Sequence, residues 1–422
     1  MKILVVNAGS SSLKFTVFDF SWLGKQEVLA TGQVECIGTP TPHLIYSRGD
    51  GSKTKTHIEM DFDRIKAGDF LTHDDALKCA CSKLLDAEEG VLSSIQDVIA
   101  IGHRVVHGGE TVTKPVIVDA DVKKIIRHCF ELAPLHNPPN LSGIEACEKI
   151  FPGIPNVAIF DTAFHQTMMP EAYIYAIPYE LYTKYGIRKY GFHGTSHHYV
   201  STATASFLKV AFDQVKLITC HLGNGASMAA INKGKVVDTS MGMTPLEGLV
   251  MGTRCGDIDP AIVLRLLELG NTPEMVDKLL NKSSGLLGIA GINTGDCRDI
   301  MMAAAKGNNQ AELAINVFVN RIVKYVGGYS ALLNGADAVV FTGGIGEHSD
   351  HIREKVLTKL SSLGVFIDKE ANSKCMGTEA AVISTPESTM KAIVMPTNEE
   401  LMIAKESIEL LLKKNRLRLV AV

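Results

Sequence analysis

The sequence contains no run of about 20 apolar residues, the length that a membrane-spanning helix needs. An apolar run at residues 3–6 follows Lys2, but it is far too short for the hydrophobic part of a signal peptide. Charge is nearly balanced as well, because 42 basic residues face 46 acidic ones for a net charge of −4. Composition therefore gives no reason to expect a membrane or a nucleic acid as partner. Any phosphate binding must depend on local features.

Cysteine pairs with the spacing of a zinc site are absent from the sequence too. Of the nine cysteines, only Cys79 and Cys81 are close in sequence, and no second pair accompanies them. Scattered thiols of this kind are typical of a cytosolic protein, in which they stay reduced. We therefore expect a cytoplasmic location.

The familiar glycine-rich phosphate loops are missing as well. The chain has no G-x-x-x-x-G-K-[ST] motif, and no G-x-G-x-x-G turn enters a helix. Instead, residues 3–15 read ILVVNAGSSSLKF. The pattern predicts a strand, a small hydroxyl-rich turn and a second strand that carries Lys14. A turn of this composition, with a cation at its far side, suits a phosphate-sized group.

Length and pattern indicate a two-domain α/β protein. The 422 residues exceed what one compact core usually contains, and helical patterns alternate with short apolar strands. Residues 37–56 look irregular and are interpreted as a surface excursion. Helix starts are predicted at Asp119 or Asp121, Ser142, Asp259–Pro260 and Thr272–Pro273.

An internal echo indicates that one domain was duplicated. Residues 3–34 are predicted to form strand, turn, strand, turn and strand, and residues 216–242 repeat this plan around a second small turn at 224–227. Short hairpins containing Gly and Ser are common, so two unrelated hairpins are the alternative. With a duplication, we expect the domain boundary at about residue 163.

Two arginines flanked by glycine suggest an anion clamp. Arg104 lies in GHRVVHGG and Arg254 lies in GTRCG, one in each predicted half. A guanidinium group matches the geometry of a carboxylate or a phosphate, and flanking glycines would let a ligand approach the backbone. The alternative for a single arginine is a structural ion pair.

Three histidines, His193, His197 and His198, lie where the strand-like segment RKYGF meets a predicted helix. At the start of that helix, the helix dipole would favour the neutral form of His193 and the binding of an anion beside it. One of the other two is expected on the helix surface or behind the site. A zinc site is the alternative, although no nearby Cys or Glu completes a tetrahedral set.

Several polar positions next to predicted strands and helices have two interpretations each. Asp161 ends a strand, where α/β folds expose ligand-binding groups, or it caps the next segment. Residues 341–347 form a glycine-rich turn that can cradle a nucleotide. Asp296 and Arg298 either contact a base or ribose or cap their helix. Glu399 begins the last predicted helix as a cap or as a metal ligand.

The chain resembles the acetokinase family through motifs that cover nearly its whole length. Two are specific, VVNAGSSSLKF and IGHRVVHGG. The others follow in order: LAPLHNPPN, FDTAFHQTMMP, YGFHGTSHHYV, HLGNGAS, GTRCGDIDP, FTGGIGE and PTNEEL. The departures from the family pattern are small: Ala226 in place of Ser, His348 in place of Asn, and extra length at residues 37–56 and Met169.

The resemblance implies the fold class and domain plan. The fold would be α/β, with two ribonuclease-H-like domains duplicated as in actin-like ATPases and a nucleotide in the interdomain cleft. The N-terminal domain would comprise residues 1–163, with a closing helix at 399–422 packing back on it. Residues 164–398 would form the C-terminal domain, which binds nucleotide and joins a homodimer.

The resemblance also implies the roles of individual residues. Arg104 and Arg254 would hold the acyl carboxylate and the transferring phosphoryl group. His193 would stabilise that group, and Asp161 would be an essential acid. The phosphate end of the opening turn would be lined by Ser10, Ser12 and Lys14. The positioning of Mg²⁺, or of Mn²⁺ in its place, would fall to Asn7 and Glu399, usually through water.

Further residues are assigned by the same resemblance to three groups. The acyl pocket would be lined by Val106, Leu135, Phe192 and Pro245. Histidines expected near the active site are His136, His197 and His221. The ATP or ADP site would be formed by His221, Leu222, Gly223, Asn224, Gly225, Asp296, Cys297, Arg298, Gly344, Ile345, Gly346, Glu347 and His348.

The implied reaction is the reversible transfer of a phosphoryl group from ATP to acetate, which gives ADP and acetyl phosphate. Direct in-line transfer is expected, in which catalysis consists of positioning and neutralising the equatorial oxygens. One alternative is a kinase for propionate or another short-chain acid. Another is an ATP-switched binding protein similar to chaperones, but no residues remain for a peptide-binding region.

Overall fold

The computed structural model describes residues 1–20, 26–59 and 67–414. The chain divides into two compact units: unit 1 comprises residues 1–163 and the segment that begins at Glu399, and unit 2 comprises residues 164–398. Within the described residues, no helix combines the length and apolar character needed to cross a membrane.

Unit 1 is built on an eight-stranded sheet with the order β5-β4-β3-β2-β1-β6-β8-β7. Strand β1 is buried along residues 3–6, which explains the unbroken apolar run there. The elements are β1 (Lys2–Ala8), β2 (Ser12–Phe20), β3 (Gln26–Glu35), β4 (His43–Arg48), β5 (Lys53–His57), α1 (His73–Leu84), a 3₁₀ turn (Ile95–Asp97), β6 (Val98–Val105), β7 (Val116–Ile117), α2 (Ala120–His128), α3 (Asn137–Ile150) and β8 (Asn156–Phe160).

Unit 2 is built on a six-stranded sheet with the order β11-β10-β9-β12-β14-β13. Its strands are β9 (Lys216–Leu222), β10 (Ala226–Asn232), β11 (Lys235–Thr239), β12 (Ala338–Thr342), β13 (Ala381–Val382) and β14 (Lys391–Val394). Its α-helices are α4 (Pro170–Tyr173), α5 (Tyr179–Tyr185), α6 (Gly194–Phe207), α7 (Ala261–Glu268), α8 (Pro273–Lys282), α9 (Gly285–Ala290), α10 (Cys297–Ala305), α11 (Asn309–Leu332), α12 (Gly343–His348), α13 (Asp350–Leu357) and α14 (Lys369–Lys374). Its 3₁₀ turns are Ala163–Thr167, which begins in unit 1, Phe212–Gln214 and Ser361–Leu363.

Five strands of each sheet share one topology. In unit 1, β1 pairs antiparallel with β2 and parallel with β6, which pairs parallel with β8. In unit 2, β9 pairs antiparallel with β10 and parallel with β12, which pairs parallel with β14. A third antiparallel strand, β3 or β11, completes each meander. This repeat confirms the duplicated α/β fold of actin-like ATPases.

The last described helix, α15 (Glu399–Lys413), belongs to unit 1 and packs on β1, β6 and β8. The helix approaches β6 so closely that a Cβ atom at Gly102 would lie 2.6 Å from the Ile403 side chain and 2.8 Å from Ser407 Oγ. Gly102 therefore permits helix packing, whereas the sequence had indicated approach by a ligand.

Several predicted helix starts are confirmed by capping bonds. Asp119 accepts hydrogen bonds from two amides in the first turn of α2. Thr272 accepts one from the amide of Met275 at the start of α8. Helix α7 follows Pro260 directly, as Asp259–Pro260 indicated. In each case the local signal determined the start because a side-chain oxygen or a proline suits the unpaired first turn.

Three sequence predictions were wrong in detail. Helix α3 begins at Asn137 rather than at Ser142, because the two prolines after Asn137 fit a first helical turn. The strand-like segment RKYGF forms no strand, and its Arg188 guanidinium stacks 3.6 Å above the Tyr173 ring. Residues 37–56 include β4 and most of β5, which extend the sheet beyond β3.

Candidate active site

Four polar residues lie at the same edge of the sheet in unit 1. Asn7 lies near the end of β1 and is the direct cross-strand neighbour of Lys14 on β2. Arg104 is the last residue but one of β6, and Asp161 follows β8. Parallel strands end at one edge of a sheet, which is where α/β folds bind ligands.

Arg104 is held by two carboxylates. Its Nη2 donates to Oδ2 of Asp161 at 2.5 Å, and its Nε lies 3.9 Å from Oε2 of Glu399. Burial opposes the charge, but the two carboxylates raise the pKa of Arg104 above its usual value. Arg104 therefore does form a structural ion pair, which was the alternative interpretation of a single arginine. It is compatible with anion binding, because a guanidinium has five N–H donors.

Glu399, the first residue of α15, is an unusual acid. Burial raises its pKa to about 7, with further upward contributions from Asp161 and Glu400 against the opposing charges of Arg104 and Lys14. The carboxyl group therefore changes protonation close to neutral pH. A cation bound beside it would replace the proton, since a carboxylate oxygen is a ligand that Mg²⁺ prefers.

Two asparagines that the sequence analysis did not single out connect the ends of β1 and β6. Asn140 accepts from the amide of Val106 at 3.0 Å and donates to the carbonyl of Ala8 at 2.7 Å. Asn137 accepts from the amide of His107 at 3.0 Å and donates to its carbonyl at 2.8 Å. The signal was present in the motif LAPLHNPPN, of which only Leu135 and His136 had been considered.

The opening turn is fixed by its own backbone and by one histidine. The amide of Gly9 donates to the carbonyl of Ser12 at 2.8 Å. His73 Nε2 lies 2.7 Å from the carbonyl oxygen of Gly9. Ser10 is exposed, and Ser12 is half-buried as the first residue of β2. His73 was also missed, because it lies far away in sequence at the start of α1.

The residues assigned to the acyl pocket differ in burial. In unit 1, Val106 is 5% exposed, whereas Leu135 is 62% exposed. His136, also exposed, precedes α3. In unit 2, Phe192 is buried and its carbonyl lies 2.9 Å from His165 Nε2. Pro245 is half-buried, and its carbonyl accepts from Nη1 of Arg254 at 2.8 Å.

Arg254 and His193 face the same glycine in unit 2. A Cβ atom at Gly225 would lie 3.4 Å from Nη2 of Arg254 and 3.6 Å from Nε2 of His193. Burial lowers the pKa of Arg254, but a guanidinium stays charged throughout the range in which proteins are folded. The glycine thus leaves room beside a cation and an imidazole nitrogen.

The histidines form a connected group. His193 precedes α6 with a φ of 55°, which is uncommon for a residue with a side chain. Its ring stacks on His221 with centroids 4.4 Å apart, and its Nδ1 lies 2.9 Å from Ser227 Oγ. His197 contacts the same hydroxyl, whereas His198 stacks on Phe164. His197 is therefore the partner behind the site.

A second chain of hydrogen bonds starts at His221. Its Nδ1 lies 2.7 Å from Ser196 Oγ, which lies 2.8 Å from Oγ1 of Thr397. The amide of Thr397 donates to Oε1 of Glu347 at 3.0 Å. The same carboxylate oxygen accepts from the amide of Gly343 at 2.7 Å. Glu347 therefore fixes the turn after β12 to the segment after β14.

A cavity of about 540 Å³ opens within unit 2. Three backbone segments surround it: the turn after β9, the start of α10 and helix α12. A volume of this size is typical of small-molecule sites. Its lining comprises Gly223, Asn224, Thr253, Gly295, Asp296, Cys297, Arg298, Met301, Gly344, Ile345, His348 and Ser349.

The lining of the cavity differs from the set of nucleotide-binding residues assigned from the sequence. Thr253, Gly295, Met301 and Ser349 join the assigned residues. Five other residues assigned to nucleotide binding do not belong to this lining, and these are His221, Leu222, Gly225, Gly346 and Glu347. Burial raises the pKa of Cys297 to about 11, so its thiol stays protonated.

Asp296 and Arg298 fit both of their interpretations. Asp296 caps α10, accepts from the amide of Arg298 at 2.8 Å and pairs with Nη2 of its guanidinium at 2.7 Å. These bonds to Arg298 lower the pKa of Asp296 to about 2. Because both residues also line the cavity, helix capping holds them in place at its wall.

Among the described residues, no group of three or more His, Cys, Asp and Glu is arranged to hold a metal ion. The histidine cluster therefore offers no zinc ligand set in the described part of the chain. A Mg²⁺ site would need fewer protein ligands than a zinc site, because Mg²⁺ keeps several waters and needs only one or two protein oxygens.

Comparison with known proteins identifies what this chain is similar to. A model of the acetokinase family matches residues 2–405. The acetate kinase of Methanosarcina thermophila is 52% identical over 419 residues, which cover 99% of each chain. The crystal structure of Porphyromonas gingivalis acetate kinase has a TM-score of 0.90 at 44% identity and covers 97% of this chain and 99% of that one. A propionate kinase from Francisella tularensis has a TM-score of 0.86 at 42% identity, with the same coverage.

Proposed function

This chain belongs to the acetokinase family, and we propose on that premise that it catalyses the reversible transfer of a phosphoryl group from ATP to acetate. The products would be ADP and acetyl phosphate, and the phosphorylated group is a carboxylate. The observation that carries the proposal is the cationic Arg104 at the carboxyl end of β6, held in place by Asp161.

In unit 1, Arg104 binds an anionic oxygen of the acyl group or of the phosphoryl group. Its side chain cannot swing away freely, because Asp161 is 1% exposed and fixes one edge of the guanidinium. A preorganised cation of this kind stabilises charge that develops in the transition state without reorganisation during the reaction. Lys14, opposite Asn7, adds a second cation at the same sheet edge.

In unit 2, Arg254 and His193 provide the matching donors for the equatorial phosphoryl oxygens. Gly225 leaves space next to both. Phosphoryl transfer requires the protein to position the reactants and to neutralise charge on the phosphoryl oxygens, rather than to form covalent bonds itself. The cavity lined by Asp296, Arg298 and Ile345 takes the nucleotide.

Asn7 and Glu399 would hold the metal ion that ATP-dependent phosphoryl transfer uses. A Mg²⁺ ion would neutralise charge on the phosphate oxygens when it is bound. The fit is supported by the surroundings of Glu399. Burial disfavours its negative charge and raises the pKa of the carboxyl group to about 7, and a cation bound at the carboxylate would offset that cost. The carboxylate of Glu399 keeps that position through its approach to Arg104.

Acetate is the proposed acid, and propionate is the alternative that the relative from Francisella tularensis favours. Val106 is buried at the end of β6, close to Arg104 in sequence. A valine there leaves little room beyond a methyl group. One methylene in such a pocket is worth about 1–3 kcal/mol, so propionate would react more slowly rather than not at all.

A homodimer joined through unit 2 is proposed as the assembly. Helix α7 exposes Ile262, Leu264 and Leu267, and Leu269 follows it with 62% exposure. Large exposed apolar patches mark protein–protein contacts, and these four exposed side chains fall within eight consecutive residues. A second copy of the chain is the proposed partner. The nine cysteines are free thiols, which supports a cytoplasmic location.

The test is acetate-dependent formation of acetyl hydroxamate from ATP and hydroxylamine, with propionate and butyrate in parallel. We expect acetate to give the highest kcat/KM, followed by propionate and then butyrate. Equal values for acetate and propionate would assign a broader acyl kinase. ATP hydrolysis that no carboxylic acid stimulates would contradict the proposal and favour an ATP-switched binding protein.

A further inference from the structure

Three buried side chains connect His193 to the sheet of unit 2. Ser227 Oγ lies 2.9 Å from Nδ1 of His193 and 2.8 Å from Nε2 of His197. Nδ1 of His197 lies 2.7 Å from Oγ1 of Thr219, whose hydroxyl donates to the carbonyl of Ala229 at 3.4 Å. Thr219, His197 and Ser227 are all fully buried.

The donor and the acceptor of each hydrogen bond in this series of side chains can be assigned in turn. Burial, together with His165 and His221, lowers the pKa of His197 well below its usual value. His197 is therefore neutral and carries one ring proton. The Thr219 hydroxyl already donates to Ala229, so it accepts from the N–H at Nδ1 of His197. That leaves Nε2 of His197 as an acceptor.

The rest of the chain follows from this acceptor. Nε2 of His197 accepts the Ser227 hydroxyl proton, and Ser227 Oγ then accepts from Nδ1 of His193. The opposite direction would begin with the Thr219 hydroxyl donating to His197 and would end with a proton on Nε2 of His193. The contact between Thr219 and the Ala229 carbonyl favours the first direction.

We propose that Thr219, His197 and Ser227 are positioning residues that keep a proton on Nδ1 of His193. The neutral ring then presents a lone pair at Nε2, the nitrogen nearest Gly225. A phosphoryl oxygen at that nitrogen needs an N–H donor. His193 therefore meets the phosphoryl group as an imidazolium cation, in contrast to the neutral form that its place at a helix start suggested.

Three charged or titratable side chains of unit 2 influence whether His193 holds that second proton. Arg254 approaches from the loop after β11, His221 stacks from β9, and His197 lies one turn along α6. The positive charge of Arg254 opposes a cation on His193 in the resting protein. The phosphoryl anion compensates for both charges, so the second proton is favoured when the substrate is bound.

The first test is independent of activity and uses ¹⁵N NMR of the full-length protein labelled at histidine. The His193 signals are assigned by difference from His193→Asn. Above the titration of His193, we expect a protonated Nδ1 and an unprotonated Nε2. A protonated Nε2 in the neutral ring would overturn the inference.

Matched substitutions test the role of the chain. Thr219→Val keeps the shape but removes the hydroxyl, and Ser227→Ala removes the link to His193. Both should turn the neutral ring of His193 into a mixture of its two tautomers, whereas Thr219→Ser keeps the hydroxyl and the wild-type signal. An unchanged His193 signal in folded Thr219→Val and Ser227→Ala would overturn the proposal. If either fails to fold, the wild-type spectrum and Thr219→Ser still decide.

The second test rests on the proposed phosphoryl transfer. For histidines that bind a metal, loss of the hydrogen-bond partner of the ring costs about 10- to 100-fold in affinity or activity, and we expect a similar loss for His193. We expect Thr219→Val to lose about that much kcat with KM for ATP and acetate nearly unchanged, and to alter the pH profile of kcat, while Thr219→Ser restores both. Unchanged profiles would contradict a positioning role. A protein with the expected tautomer but no acetate-dependent activity would refute the proposed function alone.

Discussion

The guanidinium of Arg104 and the carboxylate of Asp161 share a hydrogen bond of 2.5 Å, although they lie 57 positions apart in sequence. The pair joins the ends of the parallel strands β6 and β8. Asp161 is almost fully buried, whereas Arg104 keeps about a fifth of its side chain exposed. The acid is therefore enclosed by the protein, whereas part of the cation stays accessible to the anion that we propose it binds.

Arg104→Ala and Arg254→Ala should each lower kcat by orders of magnitude in a folded protein. Contacts of this type to transition-state charge are worth several kcal/mol, about 3–4 for a single donor. Steady-state kinetics with circular dichroism would check this. Arg127→Ala is the matched control, because Arg127 forms an exposed pair with Glu145 and should leave kcat unchanged. Near-wild-type turnover in either active-site variant would refute the clamp.

Glu399 should make the metal-free protein less stable as pH rises through neutrality. Burial raises the pKa of this carboxyl group to about 7 from its ordinary 4.5. The folded state then binds the proton more tightly than the unfolded state, so this contribution is fully present below about pH 4.5 and is lost as pH rises through 7. Thermal midpoints from about pH 5 to pH 8 should fall more for the wild type than for Glu399→Gln, whose amide does not titrate.

The same two proteins test the metal site. We expect Mg²⁺ to raise the thermal midpoint of the wild type more at pH 8 than at pH 6, because the ion competes with a proton at the lower pH. Glu399→Gln should show a weaker and pH-independent effect. Equal Mg²⁺ responses in the two proteins would make Glu399 a helix cap rather than a metal ligand.

Val106→Ala should narrow or reverse the preference for acetate over propionate in kcat/KM. The shorter side chain opens space for about one methylene, which is worth about 1–3 kcal/mol in such a pocket. Val112→Ala is the control, since Val112 is also 5% exposed and lies in a hydrophobic core cluster of unit 1. If both variants change the ratio equally, the effect comes from lost packing and Val106 does not contact the acid.

Glu347→Ala should weaken ATP binding and reduce stability. The carboxylate accepts from Gly343 N, Thr342 Oγ1 and Thr397 N, and each buried donor left without an acceptor costs about 1–3 kcal/mol. Calorimetric ATP affinity and the thermal midpoint would be measured. Glu370→Ala, which removes an exposed carboxylate, should change neither. Undiminished ATP affinity in Glu347→Ala would separate this buried acid from the nucleotide site.

Leu264→Asp should separate the proposed homodimer into monomers. The side chain of Leu264 is 63% exposed on α7, and a charge at the centre of an apolar contact would stay unpaired there. Sedimentation velocity would measure the mass. Leu332→Asp is the control, because Leu332 is similarly exposed on α11. A wild type that sediments as a monomer would contradict the assembly, and dissociation by both variants would leave α7 without a special role.

The sequence alone was sufficient to predict the duplicated plan and three of the four assigned helix starts, and it singled out Arg104, His193 and Arg254. These features are local, because strand alternation, capping oxygens and small turns act over a few residues. Tertiary structure alone decided the partners of those residues. His73 and Asn140 hold the opening turn and the end of β1 from distant helices, Gly102 serves helix α15, and Thr219 reaches His193 through two other side chains. Contacts between residues far apart in the chain depend on how strands and helices pack, which no short stretch of sequence specifies.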